Sequence, residues 1–486
     1  MWEFYGRSRE LESLEEILAR GRWFFARITG RRRIGKTTLV QQALAASPAR
    51  PLIYVQIPDS APAGVLSAFA DAMLTFEIDG HRFGQPTSLR GLATTIGELA
   101  RAGFVVVLDE FQYFARSQLS EFTSHLQSVV DGLSADADRV SGGLFVLGSL
   151  HTELVALLED RSAPLYNRTT DNIELGHLDT RSVLEILSAH ADDDPMRLLF
   201  AWNLFEGVPK FYRDCFEHDV LGEGRTELLR AMFFRSSSPL KTEADNWFLS
   251  ELRGRYDVVL KYVARNPGCT NGDIKSHVAS LASDRAQQVG GYLKVLIEKY
   301  RMIERRLPMS AKPTARNGRY YIRDNFLRAW LGALSNPVSA VNFRPESLLV
   351  RQASDRLEDV EGYGFEKLVG QLYEERSREG VGDFPLNERI VGFWDRTGTE
   401  LDLVAVDSDH RRLRLGSCKR NPDKLVRSLA SFDAHIERFV SHQRRYDGWV
   451  VERVAIAPVL DAAARGVIEG RGYIAQDLHD LTRALC

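Results

Sequence analysis

The sequence predicts an α/β protein of several domains that opens on a three-layer sandwich around a parallel sheet. Three observations predict it. Strand-length apolar runs recur through the first third: Trp23–Thr29, Pro51–Ile57, Phe104–Glu110, Gly143–Ser149 and Asn172–Gly176. They are continuous rather than alternating, as in parallel strands covered on both faces. Helical patterns separate them, including Glu10–Arg20 and Leu119–Leu133, so right-handed crossovers give helix layers on both sides. The 486 residues also exceed what one ordinary core accommodates.

Residues 1–178 form this first domain. From 179 to 250 the pattern is helical and predicts an all-α lid. From 251 to 334, helical stretches, a Pro-Gly-containing turn and a Gly-containing return to "YYI" predict the three helices and hairpin of a winged helix. Ser335–Ser347 reads as a linker, and 349–486 returns to mixed helix and strand. The net charge of -3 points to no partner by itself. Four scattered cysteines argue against disulfides and zinc. No apolar signal core and no run long enough for a membrane span is present, which predicts a cytoplasmic protein without a membrane partner.

The stretch Gly30-Arg-Arg-Arg-Ile-Gly-Lys-Thr37 fits G-x-x-x-x-G-K-[ST] between a strand and a helix. Glycines let backbone amides turn inward around phosphates, and the following helix start adds partial positive charge. The nucleotide-holding set is therefore Gly30, Arg33, Ile34, Gly35, Lys36, Thr37 and Thr38. Lys36 is expected at the β- and γ-phosphates, and the Thr37 hydroxyl on Mg²⁺. Such a site needs a second metal partner and a group to activate water. "FVVVLDE" ends in Asp109 and Glu110 at a strand tip, where open α/β sheets bind ligands. Asp109 is assigned to Mg²⁺ and Glu110 to polarising water. Ser149, closing the next strand, is placed to report the γ-phosphate. Arg168, in the loop before the last strand, is placed to stabilise a transferring phosphoryl group. Pro209 and Lys210 in the lid are candidates for the base or phosphates.

Together, "FYGRSREL", "TGRRRIGKTTL", "LDEFQ", "PLYNR", "GVPKFY" and "YYIRDNFLRAW" resemble, in that order, the archaeal-type ATPases of the P-loop AAA/STAND class, over nearly the whole chain. The resemblance implies a P-loop NTPase sandwich, helical lid, winged helix and a restriction-endonuclease-like domain. It implies ATP binding with Mg²⁺ and slow hydrolysis. It also implies that Tyr5, Gly6 and Arg7 lie near the adenine and ribose, and that Arg168 acts as a finger.

The C-terminal domain in that family is similar to the PD-(D/E)xK nuclease core. The matching positions are Glu366 on a helix, Asp402 on a strand with Glu400 two residues earlier, and Ser417-Cys418-Lys419 on the next strand. Ser417 stands where a carboxylate is usual. A neutral hydroxyl offsets a divalent cation's charge poorly, so a degenerate site that grips nucleic acid without cutting it is expected. The alternative is that Glu400, two residues before Asp402, moves in as the substitute.

Between Glu251 and Trp330, sixteen basic residues face seven acidic ones, a local excess of nine. This island predicts DNA binding through the winged helix and C-terminal domain. Arg285, Gln287 and Gln288 would open the reading helix, and Arg316 and Arg319 would lie in the wing. The alternative is a nucleotide-switched signalling protein that oligomerises and binds a protein partner.

Overall fold

The computed structural model describes all residues except 48–49, 79, 150–151, 245–255, 282–286 and 486. It divides into two compact units, Arg7–His177 and Met1–Gly6 with Leu178–Cys486.

In the first unit the five predicted strands all form: β1 (Phe24–Gly30), β2 (Leu52–Gln56), β3 (Val105–Asp109), β4 (Gly143–Gly148) and β5 (Asp171–Leu175). Their order is β2-β3-β4-β1-β5. Every pairing is parallel. Burial explains why their apolar runs are unbroken: Val105 to Leu108 and Leu144 to Leu147 are almost wholly enclosed. One face packs Ile53, Val106 and Val146 against Phe111, Phe122 and Leu126, the last two on the helix Glu121–Ala135. The order puts β4 between β1 and β3, so three strand tips line one edge.

The second unit begins with helices Thr180–His190, Pro195–Phe205 and Pro209–Glu217. Helices Asp257–Arg265, Asn271–Leu281 and Val289–Glu298 follow, with an antiparallel sheet of β6 (Cys269–Thr270), β7 (Ile303–Arg306) and β8 (Arg319–Ile322) in the order β6-β8-β7. The expected linker is not one. Ser335–Ser339 is a short helix with Pro337 and Val338 buried, and a 33-residue helix, Glu346–Arg378, starts immediately behind Pro345. Composition suggested a linker, but apolar packing of two of its residues overrides that local signal.

A second five-stranded sheet closes the chain: β9 (Val391–Trp394), β10 (Glu400–Asp407), β11 (Arg412–Cys418), β12 (Val450–Ile456) and β13 (Ile474–Gln476), ordered β13-β12-β11-β10-β9. β9, β10 and β11 are antiparallel, whereas β11, β12 and β13 are parallel. The helix Pro422–His442 covers one face through Leu425, Leu429, Phe432, Ile436 and Phe439.

Candidate functional site

The loop between β1 and the helix Lys36–Ala45 depends on backbone conformations that favour glycine. Gly30 has φ 156° and Gly35 φ 94°. A side chain at Gly30 would place its Cβ 2.7 Å from the Leu175 carbonyl oxygen. Arg33 shares the left-handed region with φ 65°, a conformation that costs a non-glycine residue energy and suits a loop curled around a ligand. Ile34 is buried beneath the loop. Arg7 braces it from behind: its guanidinium donates to the Ile34 carbonyl at 3.3 Å and to that of Gly176 at 2.6 Å.

Lys36 is buried, and its Nζ donates to the carbonyls of Gly30 at 3.0 Å and Arg31 at 3.1 Å. Burial holds its ammonium below the usual lysine range, opposed by the charges of Glu110 and Asp109. Carbonyl dipoles hold the ammonium without neutralising it, so its charge is available to an anion in the loop.

Asp109 receives a dense set of donors. Thr37 Oγ1 donates to its Oδ2 at 2.7 Å, Tyr54 OH donates to the same oxygen, and the Glu110 amide donates to Oδ1 at 2.8 Å. Burial, then the bond to Asp109, raises the Tyr54 phenol well above its ordinary range. Glu110 has φ 57°, and its carboxylate accepts from buried Gln112. Ser149 is buried just past β4. The strand order therefore puts it between the tip carrying the loop and the tip carrying Asp109. A hydroxyl and a carboxylate, both oxygen donors 2.7 Å apart, fit Mg²⁺.

Sequence reasoning missed Tyr54 and Gln112. A tyrosine in an otherwise apolar strand was the available signal for the first, because a half-buried phenol needs a partner.

Arg168 is turned elsewhere. It grips Asp131 on the helix Glu121–Ala135 through two contacts, 2.7 and 3.1 Å. Tyr5, Gly6 and Pro209 belong to the second unit. There the Tyr5 hydroxyl meets His190 Nε2 at 2.6 Å. Gly6 lies so close to Ser182 that a Cβ would fall 2.3 Å from its Oγ. Pro209 opens its helix, and Lys210 is ion-paired with Asp214 one turn on.

The geometry of the loop, acidic tip and intervening strand can be set beside known proteins. The parallel five-stranded sheet and its loop are consistent with a P-loop NTPase fold. A Walker-type ATPase of Pyrococcus abyssi superposes with TM-score 0.50 at 18% identity, covering 68% of this chain and 96% of that one. The ORC2 protein of Aeropyrum pernix, solved with ADPNP and ADP, gives TM-score 0.47 at 17% identity over 73% of this chain and 95% of its own. An uncharacterized protein of Methanocaldococcus jannaschii, MJECL04, is 24% identical over 422 residues, 84% of this chain and 85% of that protein. No protein-family model matches the chain.

In the C-terminal sheet, the structure brings Glu366, Asp402, Ser417 and Lys419 together. Asp402 Oδ2 accepts from Lys419 Nζ at 2.9 Å, the Cys418 amide at 2.8 Å and Ser417 Oγ at 3.2 Å. Burial pulls the Lys419 ammonium down, but Asp402 outweighs it and leaves the group above its usual range. Burial, then the charge of Asp402, pushes Glu366 up to about 8. Glu400 pairs with Arg319 at 2.6 Å, while its charge adds to the upward push on Glu366. The cluster thus offers a carboxylate paired with an ammonium, a carboxyl that holds its proton and a neutral hydroxyl.

Much of the basic island is engaged within the fold. Arg306 pairs with Glu304 and lies over the rings of Tyr321 and Tyr363. Arg319, held by Glu400, covers Trp394. Arg328 is 1% exposed and bonds Asn203. Arg305 is tied to the carbonyls of Pro313 and Ala315. The loop between β7 and β8, the expected wing, rests on β9: the Met309 amide donates to the Gly392 carbonyl at 3.1 Å and Trp394 Nε1 to that of Asn317 at 2.8 Å. Arg316 is exposed, as are Gln287 and Gln288, while Arg285 lies outside the described residues.

No helix among the described residues is long and apolar enough to cross a membrane.

Proposed function

We propose that the chain binds ATP with Mg²⁺, hydrolyses it slowly, and uses its nucleotide state to regulate the winged-helix and degenerate nuclease-like segments on DNA. The observation that carries the nucleotide reading is the Thr37 hydroxyl bonded to Asp109 beside an ammonium held only by carbonyls. Gly30, Arg33, Ile34, Gly35 and Thr38 shape the backbone cradle. Lys36 faces the β- and γ-phosphates. Thr37 and Asp109 would hold Mg²⁺, which supplies charge neutralisation between the phosphates. Glu110, released from Gln112, orients water; Ser149 reports the γ-phosphate.

Arg168 serves as a finger only after leaving Asp131. Tyr5, Gly6 and Arg7 are assigned to the base and ribose by family likeness, with Arg7 also bracing the loop, and Pro209 to the base or phosphates. The Lys419–Asp402 pair supports a C-terminal domain that grips nucleic acid without cleaving it.

The test is ATP turnover with and without duplex DNA at low and moderate salt. Stimulation of several-fold that fades with salt supports the proposal. No response to DNA, with ATP-dependent assembly on a sizing column, favours a signalling protein with a protein partner instead.

A further inference from the structure

The helix Pro422–His442 places Lys424, Arg427, Ser431, His435, Arg438 and His442 at intervals of three or four residues. At 3.6 residues per turn these six fall within about 80° of the helix circumference, and span about 27 Å along it. All but half-buried His435 are exposed. Lys424, Arg427 and Arg438 have no carboxylate at ion-pair distance among the described residues. The acids of the helix lie off this face: Asp423 and Glu437 to one side, Asp433 tied to Arg453 at 2.9 Å and Tyr473 at 2.6 Å. The face therefore presents three cations, Lys424, Arg427 and Arg438, over about 21 Å of helix, and the acids of the same helix stand outside it.

It also leads to the C-terminal cluster. His435 Nδ1 accepts from the Glu400 amide at 3.0 Å, and Glu400 begins the strand that carries Asp402.

We infer that this face is a nucleic-acid backbone contact of the chain. The inference rests on the DNA reading above and names the surface that serves it. Three cations without an ion-pair partner on one helix face suit the phosphates of a polyanion, each side chain supplying one contact. A membrane surface is a poorer match. Interfacial helices flank their cations with exposed large apolar residues, whereas here the apolar residues face the sheet and the residues beside the cations include Ala434 and Ser441. The contacts are to phosphates, so the face grips without reading sequence.

The experiment uses the full chain and the triple variant Lys424→Ala, Arg427→Ala, Arg438→Ala, titrated into fluorescent duplex DNA across a salt series. Three lost phosphate contacts should weaken binding about tenfold or more at moderate salt and flatten the plot of log K against log salt by about 2.7. The charge-conserving variant Arg427→Lys, Arg438→Lys should bind as the wild type does. An unchanged melting temperature separates lost contacts from lost fold. A triple variant with wild-type affinity and slope overturns this inference while leaving the DNA reading intact. Wild-type protein that ignores DNA at every salt concentration sinks the DNA reading itself. Loss of binding to phosphatidylserine vesicles, with none to DNA, assigns the face to a membrane and overturns the inference.

Discussion

The two ends of this chain carry nearly the same reactive inventory, wired in opposite ways. Near the N-terminus a lysine, an aspartate, a glutamate and a hydroxyl are Lys36, Asp109, Glu110 and Thr37; near the C-terminus they are Lys419, Asp402, Glu366 and Ser417. Lys36 rests on carbonyl oxygens and keeps its charge for a ligand, while Lys419 bonds a carboxylate and gives its charge up. Asp109 takes two hydroxyls and an amide over both of its oxygens, and Asp402 takes an ammonium, an amide and a hydroxyl on one. Residue types do not make a site: what matters is whether each charge is satisfied inside the protein or left for a partner.

Four substitutions sharpen the contrast. The largest effect belongs to Lys36→Ala, which removes the only ammonium described at the loop carbonyls. ATP affinity measured by calorimetry should fall by at least about a hundredfold, roughly 3 kcal/mol; unchanged affinity would break the comparison at its first term. Glu110→Gln should bind ATP normally but turn it over about a hundredfold more slowly, as loss of a general base predicts. Wild-type turnover in single-turnover assays would remove Glu110 from water activation.

Lys419→Ala should leave ATP turnover intact, because its charge serves Asp402 and Glu366 within the C-terminal cluster. It should cost about 2 kcal/mol in denaturant unfolding by stranding a buried carboxylate; a change in turnover instead would show that the second cluster is not merely internal. The smallest effect is Glu366→Gln, and it depends on pH. Glu366 is pushed up to about 8, so the folded chain retains a proton that the unfolded chain releases in the ordinary carboxylate range. That stabilisation is complete below this range and disappears as pH rises through about 8. The variant should therefore gain melting temperature over wild type at about pH 9 and differ little at about pH 4. Equal melting curves at both pH values would contradict a buried, proton-holding Glu366.

The same division between satisfied and unsatisfied charge separates the two basic regions. The island between Glu251 and Trp330 is dense in sequence, yet Arg305, Arg306, Arg319 and Arg328 are engaged within the fold. The helix Pro422–His442 is inconspicuous in composition because Asp423, Asp433 and Glu437 dilute it. Only its periodicity, Lys424 to Arg427 and on to His442, carried the signal. A count of charges cannot see it, since burial and pairing decide which cations remain for a phosphate.

The sequence by itself determined the parallel sheet, the phosphate loop and the acidic strand tip. Each rests on local chemistry: unbroken apolar strands, glycines at left-handed positions, a carboxylate where a strand ends. Tertiary structure alone decided that Tyr54 and Thr37 share one oxygen of Asp109, that Arg168 faces Asp131, and that Glu400 pairs with Arg319. These partners lie between 37 and 81 residues apart in sequence. Nothing local selects among the many cations and carboxylates available; which ones meet is fixed only when the sheets pack.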